Sequence, residues 1–160
     1  CGFYNHPDKE CVCSPGVVKR YLNKISGPLL DRIDLHVEVT PVSYEELADY
    51  TPSKETSGKI VERVIKAREI QVKRFQDYPT IYSNAQMPSR MVREVCQLDK
   101  AGITLLRTAM EKLQLSARAY DRILKVARTI ADLDASQNIE MDHLSEAIQY
   151  RSLDRESWAG

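Results

Sequence analysis

The chain has 160 residues, enough for one domain and part of another. Its 23 basic and 23 acidic residues cancel, which excludes a globally cationic protein and leaves any contact with nucleic acid or anionic membrane to a local patch. Apolar residues make up 42% and charged residues 29%, as in a helix-rich globular chain, and no apolar run approaches the ~18 residues of a membrane span.

A chain of this length buries a core without disulfides, so its four cysteines are not needed to hold it together. It opens on Cys1 rather than Met, and no charged leader precedes an apolar stretch. The expectation is a piece of a longer, cytoplasmic protein.

Residues 1–16 carry Gly2, Pro7, Pro15 and Gly16 and read as a loop. Val17, Val18, Tyr21 and Leu22 recur at helical spacing and predict a short helix over 17–24, which Gly27-Pro28 breaks. Residues 33–39 follow as Ile-Asp-Leu-His-Val-Glu-Val. Strict alternation predicts a strand, the one clear strand signal in the chain, with pairing partners expected upstream.

After Pro41 the pattern turns helical. Ser43 and Glu46 form a capping-box signature for a short helix to about residue 50. Ser53 is placed to cap a longer one reaching about residue 76, with Ile60, Val61, Val64, Ala67, Ile70 or Gln71, Val72 and Phe75 inward. Residues 77–87 are polar, contain Pro79 and read as a loop. Pro88 suits the first turn of a helix to about residue 97, with Met91, Val92 and Val95 inward and Cys96 a small buried residue. Asp99 caps the next, with Leu105, Leu106, Ala109, Met110 and Leu113 on one face. Ser116 caps a helix over 117–133, residues 134–138 form a loop, and Asp142 caps the last helix, with Leu144, Ala147 and Ile148 inward.

Three side-chain patterns carry chemistry. Cys1, His6, Cys11 and Cys13 could supply four ligands to a tetrahedral Zn²⁺, although the CxxC spacing is missing; the competing reading is reduced thiols in a frayed N-terminus. On the helix over 117–133, Tyr120, Ile123, Leu124, Ala127, Ile130 and Ala131 fall on one face, and Arg118, Arg122 and Lys125 on the opposite stripe. Such a stripe is either a solvated face or a polyanion contact. Arg118 stands out because it lies in the first turn, where helix amides and a guanidinium fork together favour phosphate. Arg32 lies between Asp31 and Asp34 at the entry to the strand, either in a local ion pair or projecting towards a phosphate held elsewhere.

The stretch from Lys24 to Val39, which contains Gly27-Pro28-Leu29-Leu30-Asp31-Arg32, resembles the magnesium-chelatase-like branch of the AAA+ ATPases. The resemblance continues from Ser116 to Leu133 and from His143 to Arg151, and within that branch it is nearest to the bacterial ComM-type, or YifB-type, proteins. It implies a mainly α chain: a C-terminal helical-bundle lid over 42–160, running to the natural C-terminus. Residues 1–41 would be a loop and one strand left from the α/β nucleotide-binding core.

By the same resemblance, Arg32 matches the arginine finger that acts in trans on the next subunit's γ-phosphate. Arg118 matches the sensor-2 arginine that reaches the ATP of its own subunit. Cys1, Cys11 and Cys13 match part of the family's cysteine cluster, a candidate zinc site whose first cysteine lies upstream. No Gly-x-x-x-x-Gly-Lys-[Ser/Thr] occurs, so this chain alone is expected to be inactive, with ATP and Mg²⁺ used by the full-length protein.

The implied parent is a cytoplasmic, ring-forming, ATP-dependent DNA helicase that promotes branch migration in natural transformation, with no membrane partner. Two rivals stand beside it: the ATPase subunit of a true magnesium chelatase inserting Mg²⁺ into a porphyrin, and a helical interaction module without a nucleotide role.

Overall fold

The structure is a computed structural model that describes residues 2–4, 6–51 and 55–151. Among the described residues the regular structure is helical: α1 Pro15–Leu22, α2 Gly27–Leu30, α3 Tyr44–Ala48, α4 Ser57–Arg74, α5 Ser89–Val95, α6 Lys100–Lys112, α7 Ala117–Leu133 and α8 Met141–Gln149, with a 3-10 turn at Asn84–Gln86.

The local signals set most of these boundaries. Pro15 and Pro28 stand in the first turns of α1 and α2, where a missing N–H costs nothing. Gly27-Pro28 therefore opens a one-turn helix, where the sequence suggested only a break. Ser43 caps α3 through a full capping box, its hydroxyl accepting from Glu46 N–H at 3.2 Å while Glu46 accepts from Ser43 N–H at 2.9 Å. Thr56, not Ser53, caps α4; Ser53 lies outside the described residues. Asp99 and Ser116 cap α6 and α7, accepting from Gly102 N–H at 2.7 Å and Ala119 N–H at 3.2 Å. The last helix begins two residues earlier than Asp142 implied: Glu140 is the N-cap residue, and its N–H donates to His143 Nδ1 at 3.0 Å.

α7 is the central element. It packs on α8, α4, α5 and the 3-10 turn, and α6 packs on α8. Ile123, Leu124, Ala127 and Ala131 are buried as expected, against Phe75, Val92, Leu144 and Ala147. Tyr120 lies on the same face yet is 38% exposed, while Ala119 is buried. Helical side chains lean towards the N-terminus, so a ring in the first turn leans off the end of the helix. Gly102 is fitted tightly between α6 and α8, since a Cβ there would meet Asp99 Oδ1 at 3.2 Å and Leu144 Cδ2 at 3.5 Å.

On α4 burial begins at Ala67 and includes Gln71 at the helix and Phe75 just beyond it; Ile60, Val61, Val64 and Val72, expected inward, are exposed, the first three before the buried part of α4 begins and Val72 on its outer side.

A polar network lies inside the bundle. Arg74 grips Asp132 with two hydrogen bonds of 2.7 and 2.5 Å, and Asn84 Nδ2 donates to Asp132 at 2.8 Å. Arg128, also buried, donates from Nε to Asp132 at 3.1 Å and from its two Nη atoms to the Gln137 and Ser136 carbonyls at 2.8 and 2.6 Å. Periodicity missed Arg128 and Asp132 because charged residues read as surface. Here they close the loops at either end of the network.

The predicted strand does not form. Residues 33–39 run without strand pairing, because among the described residues no second strand is present to exchange ladder bonds. The segment instead docks on the bundle, and His36 N–H donates to Tyr150 O at 2.8 Å.

Candidate functional site

The residues with the strongest chemical signal collect where the 27–36 segment meets α7 and the end of α8. Locally, α2 is one turn, and its end is extended by Arg32 N–H to Leu29 O at 2.9 Å and Ile33 N–H to Leu30 O at 3.0 Å. Leu30 and Asp31 are buried and Arg32 is exposed. Three ties fix the segment after Arg32. Arg151, 1% exposed, donates from Nη1 to the Ile33 carbonyl. Asp34 forms an ion pair with Arg122 of α7. His36 is buried, its backbone bonded to Tyr150 and its Nε2 lying 3.3 Å from Leu30 O.

Arg32 is not paired with either flanking acid. Its Nη1 donates to Pro28 O at 2.6 Å, and Asp34 has gone to Arg122. The guanidinium thus folds back on its own turn, at the surface, held by one backbone carbonyl. Arg118 is exposed in the first turn of α7 and makes no hydrogen bond or ion pair among the described residues.

The basic stripe does not act as one solvated face. Arg122 is committed to Asp34, and Lys125 Nζ donates to Ala85 O at 2.9 Å, leaving Arg118 as the outward cation of the three. Arg118 and Arg122 are one helical turn apart, about 5–6 Å along the face. Along the chain, Arg32 is two residues from Asp34 and Arg118 is one helical turn from Arg122, so each is a near neighbour of one member of the ion pair.

The cysteine signal is separate. Cys11 and Cys13 are half-buried, and Cys1 lies outside the described residues. His6 accepts from Asp8 N–H at Nδ1, 3.1 Å away, with its ring edge-on to Phe3. Among the described residues no three His, Cys, Asp or Glu side chains come together as a metal site. Cys96 is buried as expected, and burial pushes its thiol up to about 11.

The sequence marked Asp34 beside Arg32 and Arg122 on the basic stripe, but it did not join them, and it missed Arg151 on the Ile33 carbonyl. These partners lie 88 and 118 positions apart, beyond any spacing rule.

Comparison with known proteins identifies the family. The profile for magnesium chelatase, subunit ChlI C-terminal, matches residues 54–151, and that for magnesium chelatase, subunit ChlI, matches residues 1–47. The chain belongs to the magnesium chelatase ChlI C-terminal family. Within it, the chain is 44% identical over 142 residues to the competence protein ComM of Haemophilus influenzae, an alignment covering 89% of this chain and 27% of that protein. It is 41% identical over 143 residues to YifB of Escherichia coli, again 89% of this chain and 27% of the relative. A Mycobacterium tuberculosis relative is 32% identical over 143 residues, 89% of this chain and 28% of its own length. The chain thus spans about a quarter of the length of the curated relatives it matches. In this magnesium-chelatase-like chain no helix among the described residues is long and apolar enough to cross a membrane.

Proposed function

We propose that this chain is the C-terminal lid piece of an ATP-hydrolysing AAA+ motor of the ComM or YifB type. In this reading Arg32 is the finger that reaches the γ-phosphate held by the next subunit, and Arg118 is the sensor through which the lid feels the nucleotide of its own subunit. The observation that carries it is the pair of exposed arginines, Arg32 two residues from Asp34 and Arg118 one turn from Arg122, with the Asp34–Arg122 ion pair tying the two segments together, in a magnesium-chelatase-like chain.

Both guanidiniums suit a polyphosphate. Each is a planar fork at the surface without a carboxylate partner among the described residues, so neither must break an ion pair to turn outward. A finger acting in trans puts each active site at a subunit boundary, which calls for a ring and couples hydrolysis to movement between subunits. The phosphate-binding loop and the Mg²⁺ ligands belong to the remaining part of the longer protein. Cys11 and Cys13 bring two cysteine sulfurs, and zinc enters the proposal only with further ligands beyond the described residues.

The parent is then a cytoplasmic ring that remodels DNA by branch migration, in keeping with the word competence in the name of the Haemophilus relative. The rival is the magnesium chelatase named in the family description, which would feed Mg²⁺ into a porphyrin.

The test is Arg32→Ala in the full-length protein. Hydrolysis should fall by about 10³–10⁵-fold with ATP binding retained, because a trans finger stabilises charge only as the phosphoryl group leaves. Equal losses of binding and turnover would assign Arg32 to the turn at Asp31 instead. Assaying the same protein on branched DNA and on protoporphyrin separates the two parents.

A further inference from the structure

We propose that Asp34, Arg122 and Arg151 are positioning residues for Arg32. They brace the finger segment against the lid, so that where Arg32 stands at a neighbouring subunit's phosphate follows the lid of its own subunit. This rests on the finger reading of Arg32 given above.

The brace is made of contacts that reach across the chain. Arg122 ties Asp34 to α7, one turn from Arg118. Arg151, buried just past the end of α8, donates to the Ile33 carbonyl. The Tyr150 carbonyl accepts from His36 N–H at 2.8 Å. These ties occupy positions 33, 34 and 36, immediately after Arg32, and beyond them Val37 and Val39 are exposed. The base of the finger is therefore fixed on the lid.

Its tip is not. The Arg32 guanidinium is exposed and makes one hydrogen bond, to Pro28 O. A fixed backbone with a guanidinium held by a single exposed hydrogen bond is what positioning needs: the side chain can turn outward, and the lid sets where it starts from. The other end of the device is Arg118. If the nucleotide of one subunit shifts α7 through Arg118, Arg122 moves with it, and through Asp34 so does the base of the finger aimed at the next subunit.

The Asp34–Arg122 pair is a poor candidate for a purely stabilising role. Its side chains are 53% and 27% exposed, and ion pairs this open contribute little to folding.

The experiment uses the full-length protein and measures steady-state ATP hydrolysis, binding of a fluorescent ATP analogue and thermal melting. The variants are Asp34→Asn, Arg122→Gln, the charge-swapped double Asp34→Arg with Arg122→Asp, and Arg32→Ala. Displacing a catalytic group by an ångström costs about a hundredfold. Asp34→Asn and Arg122→Gln should each lower kcat by about tenfold to a hundredfold, with KM, analogue binding and melting temperature near wild type, and the swap should restore most of kcat.

Wild-type kcat in the single variants overturns the brace. So does a loss that the swap fails to restore, or one that tracks a fall in melting temperature. Arg32→Ala separates the two readings. An inactive Arg32→Ala beside a normal Asp34→Asn removes only the brace, whereas a fully active Arg32→Ala removes the finger on which it rests.

Discussion

Arg122 in the second turn of α7 and Asp34 in the extended segment after α2 are 88 positions apart and form an ion pair at the surface of the bundle. With Arg151 on the Ile33 carbonyl and His36 on Tyr150, it replaces the ladder bonds that residues 33–39 would have as a strand.

Hydrogen exchange should see this docking one amide at a time. His36 N–H is bonded to Tyr150 O, and its residue is buried, so it should be protected. Val37 and Val39 are exposed and donate no backbone hydrogen bond among the described residues, so their amides should exchange far faster than those within α7. Uniform protection over 33–39 equal to that of α7 would mean that the segment pairs as a strand after all.

The helices were legible because capping residues and 3.6-residue periodicity are local: Ser43, Asp99 and Ser116 cap where their side chains said they would. The strand was not, because alternation at 33–39 reports the preference of a segment and a strand also needs a neighbour. Periodicity placed Ile60, Val61, Val64 and Val72 inward, but it cannot say which parts of α4 meet a neighbour. For the candidate site, the sequence marked Arg32, Arg118, Asp34 and Arg122 but not the pairing of the last two, and it missed Arg151. A long-range partner such as Arg151 for Ile33 leaves no trace in spacing.

Arg118 and Ile123 give a matched pair of variants in this chain. Arg118 is exposed in the first turn of α7 and Ile123 is fully buried five residues on. Arg118→Ala should leave stability within about 0.5 kcal/mol of the parent chain, as for other surface changes. Ile123→Ala should cost about 2–5 kcal/mol through the cavity it leaves. Thermal melts of the two decide it, and an Arg118→Ala variant that melts as early as Ile123→Ala would make Arg118 a structural residue and weaken its sensor role.

The Asp132 carboxylate should be among the most sensitive positions in the bundle. It is buried and accepts from Arg74, Asn84 and Arg128 together. Asp132→Ala leaves Arg128 buried with its carboxylate gone, a loss of about 3–5 kcal/mol. Asn84→Ala removes a neutral side chain that donates to Asp132 and Thr129 and accepts from Arg74, leaves no buried cation without its carboxylate, and should cost less. A denaturant titration in which the Asn84 variant is the weaker of the two would show that Asp132 is not the centre of the network.

Cys96 should be chemically silent where Cys11 and Cys13 are not. It is 3% exposed, and desolvation by burial raises its thiol to about 11, against small opposing effects from Arg128 and Arg74. At neutral pH it is therefore a protonated, shielded thiol, while Cys11 and Cys13 are half-buried. A thiol reagent at pH 7 to 8 should modify the latter two in the folded chain and reach Cys96 only on unfolding, which mass spectrometry of the modified peptides reads directly. The same shift fixes a pH dependence. Between the ordinary thiol value of 9.0 and about 11 the folded state holds a proton that the unfolded state has released. That contribution to stability is whole below pH 9 and is lost as pH rises towards about 11. Cys96→Ala should remove that part of the alkaline fall in melting temperature. An unchanged alkaline profile in the variant would mean that the thiol ionises in the folded chain much as it does in the unfolded one.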